Sequence, residues 1–226
     1  MLLDWNARNP FCAACGNPTI SLNGGFKRGC PPTDLARAVG DQERPPCATR
    51  GRISNLSFPR TDPTVIMAIV NSANTHILLG RQKVWPSFWY STLAGFAEPA
   101  ESIEEAVRRE VYEEAGILVG RVVIHSTQPW PYPANLMIGA IGQAIPEGET
   151  IDLGNDPELD DAKWVSFEEL REGLRVGTSG LQEDAGPEYK EGGIRLPPST
   201  AIAHQLMQAA AAVSYTHLTL PTIRLV

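Results

Sequence analysis

The stretch "LAGFAEPAESIEEAVRREVYEEAGI", residues 93–117, decides the fold because it predicts a helix with both of its ends marked. Ser102, followed three residues later by Glu105, forms a capping box, so we expect the helix to begin near Ile103. Gly116 is a natural terminator, since glycine readily adopts the left-handed conformation that ends many helices.

The same helix collects carboxylates, with Glu110, Glu113 and Glu114 inside about one turn, where like charges repel. At about 100° per residue, Glu110 and Glu114 share the apolar stripe of Val107 and Val111, and Glu113 lies at its edge. A run of charges is usually a solvated face, but carboxylates on a protein-facing stripe are costly unless they are compensated. Mg²⁺ and Mn²⁺ prefer oxygen ligands, so we interpret these glutamates as ligands of a divalent cation.

Composition narrows the class of protein. The chain has 226 residues, 42% of them apolar, and a net charge of −7, so it can form a core and has no general surplus of basic charge for nucleic acid or membrane. No apolar run approaches the roughly 18 residues of a membrane span, and the first residues lack the shape of a signal peptide. We therefore expect an intracellular, reducing compartment and no membrane partner.

Four cysteines organise the N-terminal part: Cys12 and Cys15 form a C-x-x-C pair, and Cys30 and Cys47 follow at a wider spacing. Four thiolates suit a tetrahedral structural Zn²⁺, although Cys30 and Cys47 do not form a tight knuckle. Buried free thiols or a redox dithiol are the alternatives. Residues 1–57 cannot bury much apolar area alone, so bound metal would supply much of the local folding energy.

The remaining chain alternates apolar segments of strand type with helical segments, which predicts an α/β domain with a mixed sheet. Residues 88–96 are interpreted as the lead into the glutamate helix. The predicted strands are 65–70, 76–80, 121–130, 135–145 and 162–167, and the later helices are 167–174 and 199–212.

Nine positions then fit the pattern G-x5-E-x7-R-E-U-x-E-E-x-G-U, in which U is a bulky aliphatic residue. They are Gly95, Glu101, Arg109, Glu110, Val111, Glu113, Glu114, Gly116 and Ile117. This pattern resembles the Nudix box. The resemblance implies an α/β/α sandwich that hydrolyses a nucleoside diphosphate linked to another group. It also implies that Glu110, Glu113 and Glu114 hold the divalent ions, while Arg109 and Glu101 orient the loop and helix.

A second motif, "QPWPYP" at residues 128–133, resembles the Q-P-W-P-F-P signature of NADH pyrophosphatases, with Tyr132 in place of the usual Phe. The prolines favour an extended backbone, in which Gln128, Trp130 and Tyr132 share one side. Rigid rings suit stacking on a nucleobase or on nicotinamide. The alternative is a proline-rich edge loop packed by its own aromatic side chains.

Further positions match the same subfamily over roughly residues 5–208. Glu158 stands where relatives carry an additional metal-binding glutamate, and the backbone of Ala94 is expected to be another ligand. The resemblance places ten residues at the substrate: Phe96, Gln128, Pro129, Trp130, Pro131, Tyr132, Pro133, Ala134, Asn135 and Ala203.

These observations predict a zinc-ribbon module at 1–57, a Nudix domain at 58–212 and a tail at 213–226 that matches nothing in the family. Relatives usually carry a further N-terminal domain, so we expect the chain to be truncated there, and we expect the tail to be foreign to the domain. The predicted reaction is metal-dependent hydrolysis of NADH or NAD to nicotinamide mononucleotide and AMP. The alternatives are removal of NAD caps from RNA 5′ ends and a non-catalytic Nudix binding module. A homodimer, and the choice between cytoplasm and peroxisome, stay open.

Overall fold

The computed structural model describes residues 1–31, 47–49 and 56–212. It divides the chain into two compact units, Met1–Thr61 with Pro131–Ala134, and Asp62–Trp130 with Asn135–Val226. The sequence-based boundary between 57 and 58 stays a prediction, and the predicted foreign tail at 213–226 lies outside the described residues.

The first unit contains a short helix and a small antiparallel sheet of order β1-β2-β3. Their bounds are α1 Leu2–Arg8, β1 Ile20–Leu22, β2 Lys27–Gly29 and β3 Leu56–Ser57. Arg28 braces this unit by donating to the Thr19 hydroxyl (2.7 Å) and to Asn6 Oδ1 (3.0 Å). The buried cluster of the unit consists of cysteines, so side-chain packing alone offers it little stability.

The second unit is built on a six-stranded sheet of order β7-β8-β4-β5-β9, with β6 paired to β4. β4 and β8 run parallel and the other neighbours antiparallel, so the predicted mixed sheet is confirmed. The strands are β4 Asp62–Val70, β5 His76–Gln82, β6 Leu93–Phe96, β7 Val119–Trp130, β8 Asn135–Ala144 and β9 Leu159–Ser166.

Helices cover both faces of this sheet, so the predicted α/β/α sandwich is also confirmed. They are α2 Ile103–Ala115, α3 Phe167–Val176 and α4 Ile202–Ala212. Alternate residues of β4 supply two separate cores: Val65, Met67 and Ile69 pack with α2, whereas Ile66, Ala68 and Val70 pack with α3 and α4. This explains why β4 reads as a continuous apolar run, since a strand buried on both faces has no polar side.

One edge of β4 is shared by two strands. β6 pairs with residues 64–67 and β5 with residues 69–70, so the two strands leave β4 at different heights. Residues 88–96 do lead into α2, but the strand at 93–96 was not predicted from the sequence. This strand forms because β4 offers free backbone groups there. Within the described ranges, no helix combines the length and apolar character needed to span a bilayer.

Candidate active site

Helix α2 begins and ends where its sequence predicts. Ser102 Oγ accepts from the Glu105 N–H (3.2 Å), and the Glu105 carboxylate accepts from the Ser102 N–H (3.0 Å). Gly116 has φ +71° and donates its N–H to the Tyr112 carbonyl (2.9 Å). These contacts fix the ends of the helix, and therefore which of its side chains face the sheet.

The glutamates occupy the predicted stripe. Val107 and Val111 are fully buried, and Glu114 is only 4% exposed. The Glu110 side chain is 14% exposed, whereas that of Glu113 is 48% exposed at the edge of the stripe. Two of the three carboxylates thus lie on the protein-facing side of α2, so they do not belong to a solvated face of the helix.

Burial changes the proton affinity of these groups. It is the main cause that raises the pKa of Glu114 to about 8, and the negative charges of Glu158, Glu110, Asp156 and Glu113 raise it further. Burial also raises the pKa of Glu110. Among the described residues Glu114 has no cationic partner to favour its ionised form, and a hard divalent cation fits its carboxylate oxygens.

Arg109 ties the helix to the preceding strand and loop. Its Nε and Nη2 contact the two carboxylate oxygens of Glu101 (2.6 and 2.9 Å), and Nη2 also donates to the Phe96 carbonyl (2.8 Å). Its Nη1 contacts Glu110 (2.8 Å) and Glu113 (3.0 Å). The hydrogen bonds from Arg109 lower the pKa of Glu101 to about 2. Arg109 and Glu101 are thus in direct contact, and the orienting role that the resemblance implies for them stays a prediction.

Gly95 allows the Glu110 carboxylate to lie against β6. A Cβ atom added at Gly95 would be 2.0 Å from Cδ of Glu110, so any other residue would displace the carboxylate. Position 95 is thus glycine because a carboxylate occupies the space of a side chain.

A cavity of about 190 Å³ lies beside these groups and brings several predicted ligands together. Glu114, Glu158 and Ala94 all line it, although Glu158 is 44 residues beyond Glu114 in the sequence. Glu158 Oε1 accepts from Gln82 Nε2 (2.7 Å), a contact that sequence reasoning missed. Trp85 also lines the cavity and was likewise missed, because no motif covers residues 82–85.

The carboxylates are less tightly gathered than the cysteines. Among the described residues, only the four cysteines form a group of three or more acidic, His or Cys side chains with ligand atoms within 4.8 Å of one another. Glu110 and Glu113 form ion pairs with Arg109 instead. The individual metal-ligand assignments therefore stay predictions.

The "QPWPYP" segment is only partly extended. β7 ends at Trp130, and residues 131–134 form a turn to β8, so the expectation that Tyr132 continues the extended side of Gln128 and Trp130 was wrong. Proline donates no N–H to a ladder, so Pro129 is tolerated on β7, an edge strand, and the ladder stops at Pro131. Trp130 is 52% exposed, and Tyr132 is also exposed.

Gln128 binds backbone groups at the start of α4. Its Oε1 accepts from the Ile202 N–H (2.9 Å), and its Nε2 donates to the Thr200 carbonyl (2.9 Å). The side chain therefore caps a helix 74 residues away. Its predicted contact with substrate stays a prediction.

Other predicted substrate residues lie at different depths. Phe96 is exposed at the end of β6, whereas Ala203 lies on α4 and is buried in the core. Asn135 begins β8 and donates to the Thr64 hydroxyl (2.8 Å). Pro133 and Ala134 lie in the turn before it.

The four cysteines converge as a zinc site requires. The Sγ atoms of Cys12 and Cys47 are 3.7 Å apart, and those of Cys15 and Cys30 are 3.6 Å apart. A tetrahedral zinc with Zn–S bonds of about 2.3 Å separates its sulfurs by about 3.8 Å, so the spacing fits this metal and not disulfides. The wide sequence spacing of Cys30 and Cys47 is closed by the fold.

Two of these thiols are also prepared to ionise. Hydrogen bonds from Asn17 lower the pKa of Cys15 to about 6, and hydrogen bonds from Thr49 lower the pKa of Cys47. Since the thiolate is the form that binds zinc, these contacts favour the metal-bound state.

A carboxylate-bearing helix on an α/β/α sandwich, together with a four-cysteine ribbon, defines the class of protein. The chain belongs to the Nudix family, whose model, described as "NUDIX domain", matches residues 60–182. A second model, described as "NADH pyrophosphatase zinc ribbon domain", matches residues 7–36. The resemblance inferred from the sequence is therefore confirmed.

Several curated proteins are similar to this chain over most of its length. It is 41% identical over 207 residues to the NAD-capped RNA hydrolase NUDT12 of Macaca fascicularis, covering 92% of this chain and 39% of that protein. It is 42% identical over 212 residues to the NAD-capped RNA hydrolase NPY1 of Saccharomyces cerevisiae, covering 92% and 52%. It is 32% identical over 209 residues to the mitochondrial NAD(P)H pyrophosphatase NUDT13 of Homo sapiens, covering 92% and 51%. The chain thus spans about two fifths to one half of these relatives' length.

Proposed function

We propose that this protein hydrolyses the pyrophosphate bond of NADH and NAD with the help of divalent cations, releasing nicotinamide mononucleotide and AMP. The observation that carries the proposal is the buried carboxyl of Glu114, which lines one cavity together with Glu158 and Ala94. A buried carboxyl with a raised pKa, next to other carboxylates, is typical of a functional site and not of a solvated helix face.

The glutamates would hold the metal ions and handle the proton. Glu110, Glu113, Glu114 and Glu158 supply the carboxylate oxygens, with Mg²⁺ or Mn²⁺ as the ion that such ligands suit. Bound ions of this kind neutralise a diphosphate and lower the pKa of coordinated water. The water oxygen bonds to one phosphorus, the P–O–P bond breaks, and the departing phosphate keeps the bridging oxygen. Glu113 or Glu114 takes the proton of the water.

Arg109 acts by positioning. Its bonds to Glu101 and to the Phe96 carbonyl hold the loop that joins β6 to α2, while Nη1 orients Glu110 and Glu113. The exposed rings of Phe96 and Trp130 are proposed to contact the bases of the dinucleotide.

A second candidate is removal of NAD caps from RNA. It is favoured by the relatives named NAD-capped RNA hydrolases, which are 41% and 42% identical to this chain. The two activities share the pyrophosphate chemistry and differ in what is attached to the adenosine. A non-catalytic module is disfavoured because all the glutamates of the box are present.

Product analysis separates these candidates. The purified chain is incubated in Mg²⁺ or Mn²⁺ with NADH, NAD, ADP-ribose, diadenosine polyphosphates or NAD-capped RNA, and the products are resolved by chromatography. AMP and nicotinamide mononucleotide from the free dinucleotides support the proposal. Cleavage of the capped RNA alone supports the second candidate, and no cleavage of any substrate refutes both. Association of two copies stays a prediction, which sedimentation equilibrium of the same preparation measures.

A further inference from the structure

The turn from Gln82 to Trp85 closes one side of the carboxylate cavity. The Trp85 N–H donates to the Gln82 carbonyl (3.1 Å), and both residues line the cavity together with Glu114 and Glu158. The turn begins at Gln82, the last residue of β5.

Gln82 connects the turn to Glu158, which lines the same cavity. Its Nε2 donates to Glu158 Oε1 (2.7 Å), and the Glu158 N–H donates to Asp156 Oδ1 (3.1 Å). The carboxylate of Glu158 and the turn are thus held relative to each other by a charge-assisted hydrogen bond. A ligand that reaches Glu158 meets the turn as well.

The indole of Trp85 is supported by a neighbouring ring. Its ring packs edge-on against Trp89, with ring centroids 4.9 Å apart and an interplanar angle of 79°. Trp89 is buried, and its Nε1 donates to the Ser179 carbonyl (3.1 Å). Because the supporting ring is itself anchored, Trp85 would lose little side-chain entropy on contacting a ligand.

We propose that Trp85 is a substrate-contacting residue that binds a ring or ribose adjoining the diphosphate; this proposal rests on the proposed function. A cavity of about 190 Å³ is smaller than the roughly 300 Å³ at which sites for whole small molecules begin, so it takes part of a ligand. The carboxylates that line the cavity suit the metal-bound diphosphate, and the half-buried indole that lines it beside them suits a flat, partly apolar group. Gln82 then acts as a positioning residue for Glu158.

The competing role for Trp85 is packing, since Leu159 also lines the cavity. The two roles differ in what a truncated side chain changes. A substrate contact lowers nucleotide affinity and leaves the fold intact, whereas a packing residue lowers the unfolding temperature and affects all ligands through the loss of folded protein.

The test uses the full chain with Trp85→Leu and Trp85→Phe, and Val84→Ala as the matched control. Val84 neighbours Trp85 and is 85% exposed. Binding of AMP and of nicotinamide mononucleotide in Mn²⁺ is measured by titration calorimetry, and the unfolding midpoint by circular dichroism. Trp85→Leu should weaken at least one nucleotide on the order of 10-fold, as loss of one stacking contact does. Trp85→Phe should keep most of the wild-type affinity, and Val84→Ala should change neither the affinity nor the unfolding midpoint.

Kinetics with NADH supply the second readout: Trp85→Leu should raise KM and leave kcat close to that of the wild type. The proposal would be overturned if Trp85→Leu left the affinity for both nucleotides unchanged, or if it lowered the unfolding midpoint and weakened both nucleotides equally. It would also be overturned if the wild-type chain bound neither nucleotide. Binding requires no turnover, so the two hypotheses can fail separately. Trp85-dependent nucleotide binding without NADH cleavage refutes only the proposed function, and NADH cleavage with Trp85-independent binding refutes only the role of Trp85.

Discussion

Replacing Glu114 by Gln tests two effects of the buried carboxyl separately: its cost to folding stability and its role in hydrolysis. Glu114 is 4% exposed, and its pKa is raised to about 8, chiefly by burial. The variant keeps the volume of the side chain and removes its proton equilibrium. We therefore expect Glu114→Gln to lose nearly all hydrolysis while its fold, in the absence of added divalent cations, becomes more stable above neutral pH.

The sign and size follow from linkage. The pKa of Glu114 is higher in the folded chain than the ordinary value of 4.5, so its contribution to stability is complete below pH 4.5 and declines until about pH 8. Each unit of pKa corresponds to about 1.4 kcal/mol, so the full decline is on the order of 3–5 kcal/mol. Glutamine has no such decline.

Urea unfolding without added divalent cations measures this difference. Wild type and Glu114→Gln are compared across the window from pH 4.5 to about pH 8, with Glu104→Gln as the control on the same helix. The Glu114→Gln variant should gain on the wild type as pH rises, and Mn²⁺ should then stabilise the wild type more strongly than the variant. A stability difference that does not change with pH, or a variant that hydrolyses NADH at the wild-type rate, would refute the reasoning.

Three further predictions concern other parts of the molecule. Elemental analysis should find about one zinc per chain, and Cys30→Ser should lower this content without changing Mn²⁺ binding; a zinc-free protein with four freely reactive thiols would contradict the site. Glu101→Gln should destabilise the fold by about 1 kcal/mol above pH 4.5, because the partly exposed pair with Arg109 is lost, and the difference should vanish as pH falls towards 2; a difference unchanged in acid would contradict the pair. Trp130→Ala should lower kcat/KM for NADH by a factor corresponding to about 1–3 kcal/mol and spare ADP-ribose; an equal loss on both substrates at a permissive temperature would indicate packing.

Local patterns predicted what local physics controls. Helix α2 followed from its capping box and terminal glycine, and the burial of its glutamates followed from helical period. β4 followed from a run of β-branched residues, which needs no knowledge of its partners. The cysteine set was recognised from the C-x-x-C pair, although only the fold brings Cys47 to Cys12.

Contacts between distant segments were not predictable in the same way. β6 has four residues and a central glycine, and it is a strand because it pairs with β4. The cap that Gln128 gives to α4 joins residues 74 apart, and the bond from Gln82 to Glu158 joins residues 76 apart. The turn after Trp130 was missed because prolines restrict φ in extended segments and in turns alike.

The distribution of one guanidinium among several carboxylates explains where a cation is needed. Arg109 contacts both oxygens of Glu101 and one oxygen each of Glu110 and Glu113. Within the described ranges, no basic side chain pairs with Glu114, the most buried carboxyl of the helix, and its pKa is raised while that of Glu101 is lowered. Arg109 therefore supplies positive charge at the loop between β6 and α2, and no described basic side chain supplies it to Glu114 at the cavity. A divalent cation bound there, as proposed above, would offset the burial of Glu114. The feature that destabilises the metal-free fold would then also give the site its affinity for the ion.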